Sequence, residues 1–136
     1  MILFLFQLAH AEPNRVTASL SAGLDGTAPA FHGAADYGVV RHLGVAGEIG
    51  VDLDGRASAA AGLLLLPVDS RWVRLGVALM PEVHDAFGDP RLAARAGVRA
   101  GWLMFWGLGL QARVDGVVPW GEAPELQVGL GLSVRM

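Results

Sequence analysis

The groups in this chain best able to do chemistry are ten arginines, thirteen carboxylates and four histidines. Many of the charged ones alternate with large apolar residues: Glu48 and Asp52 among Val45, Ile49 and Val51, and Arg91, Arg95 and Arg99 among Leu92, Ala96 and Val98. Arg74, Gln111, Arg113, Gln127, Ser133 and Arg135 stand in the same relation to their neighbours. Spacings of two and four place such groups on one face of a β-strand. Charges gathered away from water must be paired and hydrogen-bonded, or they cost on the order of several kcal/mol each. The chemistry to expect is therefore a network of arginine–carboxylate ion pairs. Catalysis is not expected. His84 lies beside Glu82 and Asp85, and His32 heads a strand, but His–carboxylate catalysis also needs a nucleophile within reach. Ser19, Ser21, Ser58, Ser70 and Ser133 fall elsewhere in the reading. With no cysteine and no calcium-loop spacing, no metal site and no cofactor are expected. Asp25-Gly26 and Asp54-Gly55 read as turn formers.

The elements that position these groups read as eight strands. Strand one spans 15–24, with Val16, Ala18, Leu20, Ala22 and Leu24 on its greasy face. Strand two spans 31–39, with Phe31, Ala35, Tyr37 and Val39. Strand three spans 43–53, strand five 72–80, strand six 91–102 and strand seven 105–114. Strand eight, 126–136, sets Leu126, Val128, Leu130, Leu132, Val134 and Met136 against Gln127, Gly129, Gly131, Ser133 and Arg135 without error, a period of two. Strand four, 57–66, is too rich in alanine and leucine to show a period. Both 57–66 and 91–99 also suit a helix, the latter through Asp89-Pro90 and arginines spaced by four. The strand reading is preferred because an isolated helix leaves neighbouring strand edges unpaired. Three-residue turns are expected at 40–42, 54–56 and 103–105, and longer loops at 25–30, 81–90 and 115–124. Gly107 and Gly109 read as gaps on the polar side that leave arginines room.

The chain is one domain of 136 residues, 53% hydrophobic and 17% charged, with mean hydropathy +0.45. No apolar stretch reaches the roughly 18 residues a spanning helix needs; the longest charge-free runs, 57–68 and 101–112, hold about a dozen each. High hydropathy, many glycines and no such helix together fit a transmembrane β-barrel, whose strands cross with about 9–11 residues each. A net charge of −3 makes no case for nucleic acid. Residues 1–11 read as an export signal ending in Ala9-His10-Ala11 before Glu12-Pro13, leaving 12–136 as the barrel domain.

The run Tyr37-Gly38-Val39-Val40-Arg41-His42-Leu43-Gly44-Val45 and the alternating final strand resemble the small outer-membrane β-barrel proteins, the OmpA/OmpX-like class. The resemblance implies an eight-stranded antiparallel up-and-down barrel in the outer membrane of a Gram-negative bacterium, with outer-membrane lipid and lipopolysaccharide as surroundings. The final strand also resembles the signal read by the barrel-insertion machinery, with Met136 where that family ends in Phe or Trp. On this reading Glu48, Asp52, Arg74, Arg95, Arg99, Gln111, Arg113, Gln127, Ser133 and Arg135 face the lumen. Trp72, Trp102 and Trp106 form an aromatic girdle at the periplasmic rim. His84, Asp85, Phe87 and Trp120 belong to external loops, within an acidic rim of Asp25, Asp54, Glu82, Asp85, Asp89, Asp115 and Glu122.

Eight strands enclose an interior that side chains just fill, so a lumen plugged by ion pairs is the leading expectation. The expected function is that of a structural or loop-presenting, porin-like barrel. Arginines outnumber carboxylates among the lumen candidates, which keeps a narrow arginine-lined pore as another reading. A soluble periplasmic, lipocalin-like barrel with its greasy face turned inward on an apolar ligand is the main alternative. Against it, a face of Gly, Ala, Ser and few Arg makes a poor solvent surface.

Overall fold

The computed structural model describes residues 15–40 and 42–136; the expected export segment 1–11 and Arg41 lie outside them. Eight strands follow in order: β1 (Val16–Asp25), β2 (Ala28–Val40), β3 (Leu43–Asp52), β4 (Ala57–Asp69), β5 (Val73–His84), β6 (Arg91–Phe105), β7 (Leu108–Pro119) and β8 (Glu125–Arg135). Each pairs antiparallel with its neighbour in sequence. β1 also pairs with β8, from Thr17 opposite Arg135 to Asp25 opposite Gln127, and this closes the barrel. Closure removes every free edge, the state a sheet needs where no water can satisfy its backbone.

Away from the bulges the strands alternate with a period of two, most large apolar side chains outward and small or polar ones inward. Segments 57–66 and 91–99 are strands, not helices, because each is laddered to a neighbour on both sides. Within β4 the period becomes visible: Leu63 and Leu65 point out while Leu64 and Leu66 are buried inside. Those two leucines join Ala46, Ala60, Ala78 and Met80 in an apolar cluster that fills the β3–β5 side of the interior.

Several strands run further than their sequence reading. Pro29, Pro67, Pro81 and Pro119 fall outside the strands read from the sequence, yet all four lie in strands. Pro29 and Pro119 sit near strand ends and Pro67 lies where the β4–β5 register slips, positions that need no ladder donor. The expected loop at 25–30 shrinks to a two-residue turn at 26–27, with Gly26 at φ 61. The loops at this end of the barrel cover 26–27, 53–56, 85–90 and 120–124.

At the opposite, short-turn end, the expected three-residue turns at 40–42 and 103–105 are corrected: β2 includes Val40, with His42 in the turn before β3, and β6 includes Leu103 to Phe105, followed by a two-residue turn at 106–107. His42 (φ 69), Trp106 (φ 49) and Gly107 (φ 77) take left-handed backbone there, as hairpin turns of this length require. A β-bulge between Gly38 and Val40, and another between Leu103 and Phe105, supplies the odd residue. Face parity survives because a bulge adds one residue to one strand, the same count as a three-residue loop. Trp106 is therefore a turn residue outside β7. Gly107 is also a turn residue, not a gap in the lumen; a Cβ there would strike the Arg135 carbonyl oxygen.

Candidate functional site

The lumen is a polar interior organised around one carboxylate. Glu48 projects from the middle of β3, where its neighbours across β2 and β4 are alanines (Ala34 and Ala60). Small residues on the adjoining strands leave the space into which long side chains from the far wall reach. Glu48 Oε1 accepts from Arg95 Nη1 at 2.6 Å and from Arg113 Nη1, and Oε2 accepts from Arg99 Nη2 at 2.7 Å. The three arginines come from β6 and β7, across the barrel, so these bonds tie opposite walls together. Arg95 continues the network, with Nη2 donating to Gln127 Oε1 at 2.6 Å and Nε 2.7 Å from Glu82 Oε2. Glu48, Glu82, Arg95, Arg99, Arg113, Asp115 and Gln127 are all buried.

A second network lies toward the short-turn end. Arg74 donates to Asp36 through both terminal nitrogens, at 2.9 and 2.6 Å, a bidentate fork. Arg135 Nη2 donates to Asp69 Oδ1 at 2.7 Å and its Nη1 to the Ser70 carbonyl at 2.8 Å. Since Arg135 sits at the end of β8, this pair pins the closing strand to the β4–β5 turn. At the loop end Asp52 accepts from the Arg56 backbone at 2.9 Å and from Arg56 Nε at 2.7 Å. Arg91 spans the mouth between Asp89 at 2.6 Å and Glu122 at 2.9 Å.

The residues expected in the lumen lie on the inward face, and five of the ten, Glu48, Arg95, Arg99, Arg113 and Gln127, interact directly with one another. The acidic rim is corrected in part. Asp25, Glu82 and Asp115 are buried strand residues of the lumen, and so is His84, expected in an external loop. They were misplaced because prolines and glycines near them read as loop while the strands carry on. His84 Nδ1 lies 3.0 Å from Glu82 Oε1. Arginines do not outnumber carboxylates inside: Asp25, Asp36, Asp69, Glu82 and Asp115 join Glu48 and Asp52, against Arg74, Arg95, Arg99, Arg113 and Arg135. His32 and Asp36, which the sequence reading left out, are equally buried; each stands at an even position of β2, in phase with the lumenal face, and that phase was the signal that could have found them. Ser21 and Ser58 lie level with His32 on either side, correcting their assigned remoteness from the histidines. Both ring nitrogens of His32 nevertheless face carboxylates, Nε2 at 2.8 Å from Asp25 Oδ1 and Nδ1 at 3.0 Å from Glu48 Oε1.

Between the two networks is a cavity lined by Thr17, Leu64, Arg74, Arg99, Gln111 and Ser133, among others, with about 20 Å³ open to the centre of a water molecule. That is room for one or two waters, against about 10–15 Å³ for a single one, and far from a continuous channel. The arginines that a pore would need free are held in ion pairs.

The exterior is the reverse of the lumen. Leu20, Ile49 and Leu130 are each about 70% exposed in mid-strand, so the greasy face points outward, and among the described residues the interior holds no apolar ligand chamber of the lipocalin kind. Trp72, Trp102 and Trp106 stand together at the short-turn end, all exposed. Arg71 lies over the Trp72 ring at 5.2 Å, and Phe105 meets Trp106 edge-on at 5.8 Å. At the loop end, Asp85 is half-buried while Phe87 and Trp120 are almost fully exposed.

No protein-family model and no curated protein matches the chain. Solved structures do. The N-terminal β-barrel domain of Pseudomonas aeruginosa OprF superposes with a TM-score of 0.77 at 15% identity, over 91% of this chain and 98% of that one. A de novo designed transmembrane β-barrel gives 0.73 at 16% identity, over 93% and 98%. The Yersinia pestis outer membrane protein Ail gives 0.63 at 15% identity, over 90% and 99%. At such identities the likeness is one of fold: the chain has the closed eight-stranded barrel fold of the small outer-membrane barrel proteins.

Proposed function

We propose that the chain is an integral outer-membrane protein of a Gram-negative bacterium, a plugged barrel with a structural or loop-presenting role. The inversion of polarity carries this reading: charged side chains buried inside, and a continuous band of exposed Leu, Ile, Val and Phe outside. A soluble protein rarely exposes apolar patches beyond a few hundred Å², whereas a bilayer makes such a band the stable surface. Strands of 10–15 residues meet the length needed to cross. The short-turn end with its tryptophans faces the periplasm, and the loops bearing Phe87 and Trp120 face outward. Partners on this reading are outer-membrane lipid and lipopolysaccharide, whose phosphates divalent cations would bridge to Asp54, Asp85, Asp89 and Glu122. The barrel-insertion machinery would engage β8.

The test is fractionation followed by gel electrophoresis with and without boiling, then conductance in planar bilayers. A faster unboiled band in the outer-membrane fraction and no steady conductance are expected. Recovery from the periplasm without detergent sinks the membrane assignment, and ion-sized steady conductance sinks the plug.

A further inference from the structure

We propose that the cavity between the two lumenal networks is a binding site for one monovalent anion of halide size, such as chloride, held by donors that the ion pairs leave over. Three of those donors are explicit. Thr17 Oγ1, Arg74 Nε and Arg99 Nε are buried without a hydrogen-bond partner among the described residues, and all three side chains line the cavity. Thr17 and Arg99 are 4% and 6% exposed, so bulk water does not serve them. Arg74 Nε lies 3.7 Å from Asp69 Oδ1, beyond hydrogen-bond reach. Thr17 is fixed by its register, opposite Asp36 of β2 on one side and Arg135 of β8 on the other. Gln111 and Ser133 add an amide and a hydroxyl to the same wall.

Charge and size select the ligand. A guanidinium only donates, and three of them line the cavity, Arg74, Arg99 and Arg135, against one carboxylate, Asp36. Both oxygens of Asp36 already accept from Arg74. Asp69 and Glu48 pair with Arg135 and Arg99 without lining the cavity. Arg99 is the least supplied of the arginines around Glu48. Arg95 also has Glu82 and Arg113 also has Asp115, whereas the ion-pair partner of Arg99 is the Glu48 it shares with both. A water molecule would bring two hydrogens to a wall short of acceptors; a halide brings none and accepts from several donors at once. The open volume of about 20 Å³ takes one such ion and is too small for a phosphate. Arg74, Leu103, Gln111 and Arg135, toward the short-turn end, are half-buried, while Thr17, Arg99 and Ser133 are buried. The ion therefore enters from the short-turn side.

The test is urea unfolding in detergent micelles at fixed ionic strength, with sodium gluconate exchanged stepwise for sodium chloride. An ion that binds only the folded protein raises the folding equilibrium constant saturably, by about tenfold at ten times its half-saturating concentration. Thr17→Val keeps the shape of the side chain and removes one donor, so it should need about tenfold more chloride for the same effect. Arg99→Met should lose the response. No chloride dependence in the parent protein, or an equal one in the parent and Thr17→Val, overturns the proposal. The position is read from crystals grown in sodium bromide, where an anomalous scattering peak is expected within contact distance of Thr17 and Arg99. Peaks on the outer surface alone, or none, overturn it as well. Micelles and crystals make both readouts independent of where the protein resides in the cell, so this site and the membrane assignment fail separately.

Discussion

Replacing Glu48 by Gln keeps the shape of the side chain and removes its charge, and the three arginines around it do not suffer equally. Arg95 retains Glu82 at 2.7 Å and Gln127 at 2.6 Å. Arg113 retains Asp115 at 3.4 Å. The remaining hydrogen-bond contact of Arg99 among the described residues is the Met80 sulfur at 4.0 Å. Glu48 and Arg99 are 4% and 6% exposed, so Glu48→Gln leaves Arg99 as a buried cation that has lost its carboxylate partner. Removing one side of a buried ion pair costs about 3–5 kcal/mol, and that range is expected for this variant. Adding Arg99→Met replaces the stranded guanidinium with an apolar chain beside Met80 and Leu64. The double variant should recover more than half of the loss, a coupling that a mutant cycle isolates. Urea unfolding in micelles, followed by tryptophan fluorescence and by the boiled-to-unboiled gel shift, measures both. A loss below about 1 kcal/mol for Glu48→Gln, or a double variant no more stable than the single, refutes the reasoning.

Other substitutions probe the remaining parts. Asp69→Asn weakens the Arg135 pair, but Arg135 keeps the Ser70 carbonyl and Arg74 keeps Asp36; the cost should be about 1–3 kcal/mol, smaller than for Glu48 in the same unfolding assay. Leu130→Arg places a charge mid-strand on the outer face, where Leu130 is 71% exposed. In vesicles it should destabilise by about 2–4 kcal/mol, and a neutral effect would argue for a surface facing water. Gly97→Ala drives a Cβ into the Asp115 carboxylate, with about 1–3 kcal/mol of overpacking expected. Gly33→Ala meets only Leu20 at 3.6 Å and Ile49 at 3.7 Å and should stay within about 0.5 kcal/mol. Equal melting behaviour for these two alanine variants would count against the packed lumen.

The alternation of β1, β3, β6 and β8 was legible because a strand with one face in lipid and one in a crowded interior must repeat every second residue. β4 was not, since Ala59, Ala60 and Ala61 are alike and Leu63 to Leu66 run together; which leucines enter the lumen depended on their ladders with β3 and β5. Asp25, Glu82, His84 and Asp115 were misread as rim residues for a related reason. Their local sequence carries turn formers and prolines, and only pairing with the adjacent strands extends the strands past them. His42 and Trp106 show the same limit, because a bulge and a tight turn preserve face parity as well as a longer loop does.

Strand identity, face assignment and the polar character of the lumen come from the sequence itself, because each depends on the side-chain period, a property of neighbouring residues. Pairing choice is a different matter. That Glu48 gathers Arg95, Arg99 and Arg113, that Arg135 reaches Asp69, and that His32 falls between two carboxylates depend on the stagger of eight strands around a closed ring. Ion pairs across that ring join residues as many as 88 positions apart, Asp25 with Arg113, and no local pattern encodes them. Tertiary structure alone therefore decided the balance of charge inside, and with it that the arginines close the lumen instead of lining an open one.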